Sequence, residues 1–293
     1  MASVRKLINR RKSVANIRKI TRTMEMISTA RFRKSMDKAM AGKPYTESIT
    51  ELVAALAGSG IKAGHPLLQR NRQSRRDVVL VLTSNRGLCG GYNGNIIRLA
   101  GELIGRLEKR NRIVELRVSG RKGVGLLRFR GNKIAVGYRR FDEKTSFADM
   151  KKLTDEFIDL YAKKEIDSLN VVYTFFESAA GFYPEVKEIL PFTSVEHRRE
   201  RKAHRITSED YLFTPDAEEI LAELLPIAIQ TQLFQCFNDS AVSEQIARMR
   251  AMKAATDNAE QMIRGLSQQF NRARQTNITN AMLDIIGGVE AVK

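Results

Sequence analysis

From Ala2 to Ala41 the chain has neither glycine nor proline, and apolar residues return at three- and four-residue steps and their sums: Val4, Leu7, Val14, Ile17, Met24 and Ile27. This spacing places them along one stripe of a helix. Gly42 and Pro44 should bend or interrupt it, because proline lacks the backbone donor and its ring clashes with the preceding turn. The pattern resumes through Ile49, Leu52, Val53 and Leu56 and stops at Gly58-Ser59-Gly60. The helix so predicted covers residues 1–58 and is roughly 80 Å long at 1.5 Å per residue. A second run begins at Thr214-Pro215-Asp216, which supplies an N-cap, a proline at the first helical position and an acid in the first turn. Val242, Ile246, Met249, Ile263, Leu266, Phe270, Ala273, Ala281 and Ile285 keep the helical step until Gly287-Gly288. This helix is predicted within residues 209–288, at about 100 Å.

Between them the pattern changes. Residues 77–192 alternate strand-like and helical stretches. Asp77 to Thr83 is a continuous apolar strand followed by a glycine-rich turn and a helical stretch from Ile96 to Lys109. Strands are predicted near 113–119, 133–138 and 169–177, helices near 122–129 and 147–163, and a last edge strand near 186–190. Alternating β and α elements imply a parallel-rich sheet covered by helices. Residues 59–76 and 193–208, rich in Arg, Gln, Ser and His, read as linkers. The fold class is therefore α+β overall: an antiparallel coiled coil of N- and C-terminal helices plus a central α/β domain.

Helices of such length outrun any globular core and must cover their stripes against each other. Thr21, Thr256, Ala259 and several methionines dilute the seam, so the coil should be loose. The second helix is longer by about 15 to 20 residues, so one end must project singly by roughly 25 Å or more. The projecting part is expected at residues 276–293, whose only charges are Asp284, Glu290 and Lys293. An otherwise apolar lone helix points to a surrounding partner.

Charge sharpens this picture. The chain has 293 residues and a net charge of +17, with 43% apolar and 28% charged residues, which excludes disordered and fibrous classes. The first 43 residues hold thirteen Lys/Arg against Glu25 and Asp37, whereas residues 209–293 hold seven against twelve acids. Opposite signs at the two ends favour their lying side by side. The densest apolar stretch, 220–234, contains Glu223, Pro226 and three polar residues at 230–232, so no spanning helix is expected. A basic start with few acids also fits a mitochondrial transit peptide. Against that, the helical period continues from Val4 to Ala57 without a cleavage-like break.

Catalytic readings find little purchase. The turn Ser84-Asn85-Arg86-Gly87-Leu88-Cys89-Gly90-Gly91-Tyr92-Asn93-Gly94 follows a strand, yet its glycines fit neither GxGxxG nor GxxxxGK[ST]. It reads as a structural turn needing positive φ. Cys89 beside Arg86 could be a nucleophile, but His65, His197 and His204 all fall in the linkers, so no base or metal set is assigned. Two cysteines, Cys89 and Cys236, suit a reducing compartment. The rival reading of the charge is a basic coiled-coil protein binding nucleic acid or an anionic membrane. With no Trp in the chain and one aromatic, Phe32, among the first 40 residues, it lacks a recognition module, and it leaves the two long helices unexplained.

Two helical segments and the turn resemble a known family. Residues 13–45, with Ser13-Val14, Lys19-Ile20-Thr21, Met24-Glu25-Met26 and Arg33-Lys34, are similar to the N-terminal helix of the γ subunit of F-type ATP synthases. Residues 247–279, including Ala247-Arg248-Met249-Arg250, Asn271 to Gln275 and Ile278-Thr279, resemble its C-terminal helix, and residues 84–90 its SDRGLCG segment. The resemblance implies a rotor shaft without catalytic residues, cofactor or metal, whose terminal helices turn inside a hexameric ring of α and β subunits. It implies an ε subunit and a membrane c-ring at the foot, Met24, Arg274, Gln275 and Thr279 as contacts to the ring, and Tyr211 and Phe213 at the foot. It gives no role for nucleic acid or for direct membrane insertion, and it places the chain peripherally on the cytoplasmic face of a bacterial inner membrane. The cysteine pair of redox-regulated chloroplast relatives is missing, so thiol control is not expected.

Overall fold

The computed structural model describes residues 2–58, 65–138, 147–178, 181–192 and 217–290. The elements in chain order are α1 (Ala2–Gly58), β1 (Arg76–Leu82), α2 (Tyr92–Lys109), β2 (Ile113–Ser119), α3 (Arg121–Phe129), β3 (Val136–Tyr138), α4 (Phe147–Ala162), β4 (Ser168–Phe176), β5 (Phe182–Leu190) and α5 (Ala217–Glu290). Contacts divide the chain into two units: Met1–Ala30 with Arg248–Lys293, and Arg31–Ala247.

The larger unit is built on a five-stranded sheet of order β3-β2-β1-β4-β5. The first four strands are parallel, and β5 pairs antiparallel with β4. Central strand β1 shows why its sequence is continuously apolar. Val78, Leu80 and Leu82 enter the cluster on one face while Val79 and Val81 enter the cluster on the other. The first face is covered by α4 (Met150, Leu153, Phe157, Tyr161), by the last turns of α1 (Ile49, Val53, Leu56) and by the first half of α5 (Leu221, Leu225, Ile229, Leu233). The second is covered by α2 through Tyr92, Ile96, Ile97, Ala100, Leu103 and Ile104, with Leu127 of α3 beside it. At the N-terminal strand ends, Arg112 donates two hydrogen bonds to Asp77 at 2.6 and 2.7 Å and pairs with Asp167 at 2.9 Å. Burial alone would raise the Asp167 carboxyl, but hydrogen bonds from Ser74 and Arg112 outweigh it and hold the group below its ordinary value.

Neither internal proline stops its helix. Pro44 lies within α1 and Pro226 within α5. Four residues upstream of each, Met40 and Ala222 are exposed, so the carbonyl left without a helical donor can take water. Burial of Ile49, Val53 and Leu56 beyond Pro44, and of Leu221 and Leu225 around Pro226, offsets the cost. Gly287-Gly288 likewise does not end α5, which runs on to Glu290. One 18-residue window within Glu219–Ile286 reaches a mean hydropathy of 1.3, so α5 is long and apolar enough to cross a membrane by composition, contrary to the reading of residues 220–234; half of the window is buried in packing.

Candidate functional site

In the smaller unit α1 and α5 pair antiparallel. The hydroxyls of Thr21 and Thr256 lie 2.8 Å apart, Arg18 faces Glu260 at 3.8 Å, and the Arg11 guanidinium lies 5.4 Å above the Phe270 ring. On α1 the buried seam is Val14, Thr21 and Ser28, a strict seven-residue step with Leu7 half-buried one step earlier. On α5 it is Met252, Thr256, Ala259 and Leu266, interleaved with half-buried Ile263 and Phe270. Val14, Ala259 and Leu266, joined by Leu7 and Ile263, form its apolar cluster.

This seam corrects the sequence reading. Ile17 and Ile27, expected in the stripe, are 52% and 48% exposed, and Ile20 and Met26 lie outside it at 60% and 63%. Small hydroxyl residues can take the seam because their protons find acceptors there: Thr256 donates to Thr21 at 2.8 Å while Thr21 passes its own proton to the Arg18 carbonyl at 3.1 Å, the Met252 carbonyl at 2.9 Å being the alternative acceptor for Thr256. Ile17, Ile20 and Ile27 instead form an apolar stripe on an otherwise cationic outer face.

The register also locates the free end. With Arg11 level with Phe270, the start of α1 comes level with about Ile278, and α5 continues for about twelve residues, or roughly 18 Å, without that partner. There Ile278, Met282, Leu283, Ile285 and Ile286 are 52–68% exposed. Exposed Arg274, Gln275 and Thr279 share one side of α5 at the base of this free end. Met24 is half-buried and lies past the Thr21–Thr256 level, so the structure separates it from Arg274 by roughly 30 Å along the pair. Tyr211 and Phe213 lie outside the described residues.

The glycine-rich turn in the larger unit is a fixed structural element. Asn93 accepts the Ser84 backbone N–H at 3.0 Å, and its amide reaches the Ser84 hydroxyl at 2.7 Å and the Cys89 sulfur at 3.2 Å. Leu88 and Gly90 take positive φ of 63° and 57°. A Cβ at Gly120 or Gly123 would overlap Thr83, whose hydroxyl donates to the Ser119 carbonyl at 2.7 Å and accepts the Gly123 N–H at 3.1 Å. Cys89 is 2% exposed, while burial pushes the Cys236 thiol up to about 12. No group of three metal-ligating side chains occurs among the described residues.

Paired helices with an apolar free end define a chain that works through its contacts. Comparison with known proteins specifies which. The family described as ATP synthase matches residues 3–292. The ATP synthase gamma chain of Rhodopirellula baltica is 44% identical over 295 residues covering all of both chains, and that of Frankia casuarinae is 39% identical over 99% of this chain and 97% of the relative. Among solved structures, a chain of the Euglena gracilis mitochondrial ATP synthase (OSCP/F1/c-ring, rotational state 3) shares the fold at a TM-score of 0.68 and 16% identity, over 99% of this chain and 95% of that one. A chain of the Tetrahymena thermophila central stalk and c-ring does so at 0.58 and 19%, over 80% and 99%. The chain belongs to the ATP synthase gamma-chain family.

Proposed function

We propose that the chain is the central rotor shaft of an F-type ATP synthase, coupling rotation of a membrane c-ring to conformational change in the catalytic β subunits of a surrounding α/β ring. The observation that carries this reading is the free end of α5, whose five exposed apolar side chains need a surrounding partner that α1 does not supply. Met24 and the group Arg274, Gln275 and Thr279 are assigned to the ring at two separate levels. Tyr211 and Phe213 are assigned to the foot, against ε and the c-ring. The complex is peripheral to a membrane, and the face proposed for this chain is the cytoplasmic side of a bacterial inner membrane.

A shaft can shift a catalytic subunit only by binding its conformations with different affinity. Moving such an equilibrium from 1:99 to 99:1 takes about 5.5 kcal/mol. Ile17, Ile20, Met26 and Ile27 on α1 and the five residues at the free end are each about half exposed or more. At roughly 1 kcal/mol for covering the remaining area of each, burying about six of them in one conformation of a catalytic subunit and not in the other would supply a difference of the required size. Two dissimilar helices, one with an apolar stripe among cations, present each ring position with a different face as the angle changes.

The test is co-expression with α and β subunits. The chain should co-purify with them, and Mg-ATPase activity should depend on the assembly. ATP hydrolysis by this chain alone, or its failure to enter the ring, would overturn the reading.

A further inference from the structure

The shaft reading gives no task to the turn at residues 84–94, yet beside it the surface forms an open, cleft-like cavity of about 540 Å³, bordered by Leu88, Gly94, Arg121, Lys122, Gly125 and Leu126. It lies outside the C-terminal ends of β1 and β2, the side on which open α/β sheets take ligands. Its volume falls within the roughly 300–1,000 Å³ of small-molecule sites. We propose that this cavity binds a small phosphate-bearing ligand of the mononucleotide class, with phosphate on Arg121 and Lys122 and the apolar moiety against Leu88 and Leu126.

Four observations support the assignment. First, no ion pair occupies the Arg121 guanidinium or the Lys122 ammonium among the described residues, and Lys122 lies along Gly87, where a Cβ would come within 3.5 Å of its Cε. Second, the first N–H groups of α3 are already committed. Arg121 donates to Asn85 Oδ1, Lys122 to the Ser84 carbonyl and Gly123 to the Thr83 hydroxyl. An anion is therefore held by the two side chains and not by a backbone cradle, which agrees with a turn that lacks a phosphate-loop signature. Third, Leu88 and Leu126 are 58% and 42% exposed at this cavity, the former on a left-handed backbone that branched side chains adopt only at a cost. Fourth, Gly94 and Gly125 sit inside helices, where a Cβ at either would meet nothing within 4 Å. Neither packing nor backbone angle demands glycine there, and alanine would serve the helix better. Bordering the cavity, they carry no side chain into it.

The experiment is calorimetric titration of the full-length chain with ADP, inorganic phosphate and adenosine, at an ionic strength high enough to suppress general attraction to a +17 chain. ADP should bind saturably at one site, and phosphate or adenosine alone at least about tenfold more weakly. Arg121→Ala and Lys122→Ala should each weaken ADP by about tenfold. Gly125→Leu, which keeps both cations but fills the space, should abolish binding. The double variant Arg10→Ala/Lys12→Ala on α1 should leave it unchanged. The proposal is overturned by absence of saturable binding, by ADP binding that survives Gly125→Leu, by equal affinity for phosphate and ADP, or by equal loss in the α1 variant. Should Gly125→Leu not fold, the Lys122→Ala result and the ADP-to-adenosine ratio decide. None of these readouts depends on assembly into a ring.

Discussion

Replacing Asp239 by asparagine should make the protein more stable at pH 8 and leave it nearly unchanged at pH 4. Asp239 lies on α5, 4% exposed, with its Oδ1 accepting a hydrogen bond from Gln235 at 2.8 Å. Burial drives its carboxyl from 3.8 up to about 7, against the opposing pull of the Gln235 hydrogen bond, Lys187 of β5 and Lys43 of α1, while Glu185 of β5 adds to the rise. The native state therefore holds a proton that the unfolded state has already released between these two values. Stability falls as pH rises through this window, by up to about 1.4 kcal/mol per unit, to a total on the order of 4 kcal/mol above pH 7. Asparagine keeps the acceptor for Gln235 and removes the titration. Urea unfolding of the full-length chain and of Asp239→Asn, each at several values between pH 4 and 8, isolates the term, because the other carboxylates cancel in the difference. A stability difference that does not change with pH would refute the reasoning. So would one that grows toward acid.

Proline at Thr256 should cost about 3 kcal/mol or more, since it removes a helical hydrogen bond in the middle of the paired seam, and should uncouple the assembled ATPase. Removal of residues 286–293 should be milder than either that change or Arg274→Glu, measured as ATP-driven ion pumping by reconstituted complexes; the reverse ranking would contradict the roles proposed for the free end and its base. Gly123→Ala forces a methyl group into the Thr83 hydroxyl and should destabilise by about 1–3 kcal/mol in urea melts. Asp77→Ala leaves Arg112 without its two shortest hydrogen bonds and Ser168 without its acceptor at 2.6 Å, so thermal unfolding should report a loss on the order of 3–5 kcal/mol.

Where a residue's chemistry fixed its surroundings, the chain could be read directly. The unbroken apolar run of β1 signalled a strand covered on both faces, and the length mismatch of the terminal helices signalled a free end. What stayed hidden depended on partners distant in sequence. Thr21 and Thr256 could be placed in a diluted seam, but only the facing helix shows that Ser28 joins it and that Ile17 and Ile27 do not. Pro44 reads as a bend or interruption because the propensity cost is local, whereas the burial that offsets it comes from packing on the sheet. Antiparallel β5 and the overlap between Thr83 and Gly123 likewise follow from tertiary approach. The proposed contacts Met24, Arg274, Gln275 and Thr279 came from resemblance alone, since exposed residues carry no periodic signal that distinguishes a partner from solvent.

The paired hydroxyls of Thr21 and Thr256 carry a mechanical implication. A seam of interchangeable methyl groups would let one helix slide along the other with little penalty. Displacement by a single turn, about 5.4 Å, would separate these two oxygens and break the bond between them. The bond thus acts as the key in a keyway: small in energy, but placed where a twist imposed at one end of the pair would otherwise be lost as slippage before reaching the other.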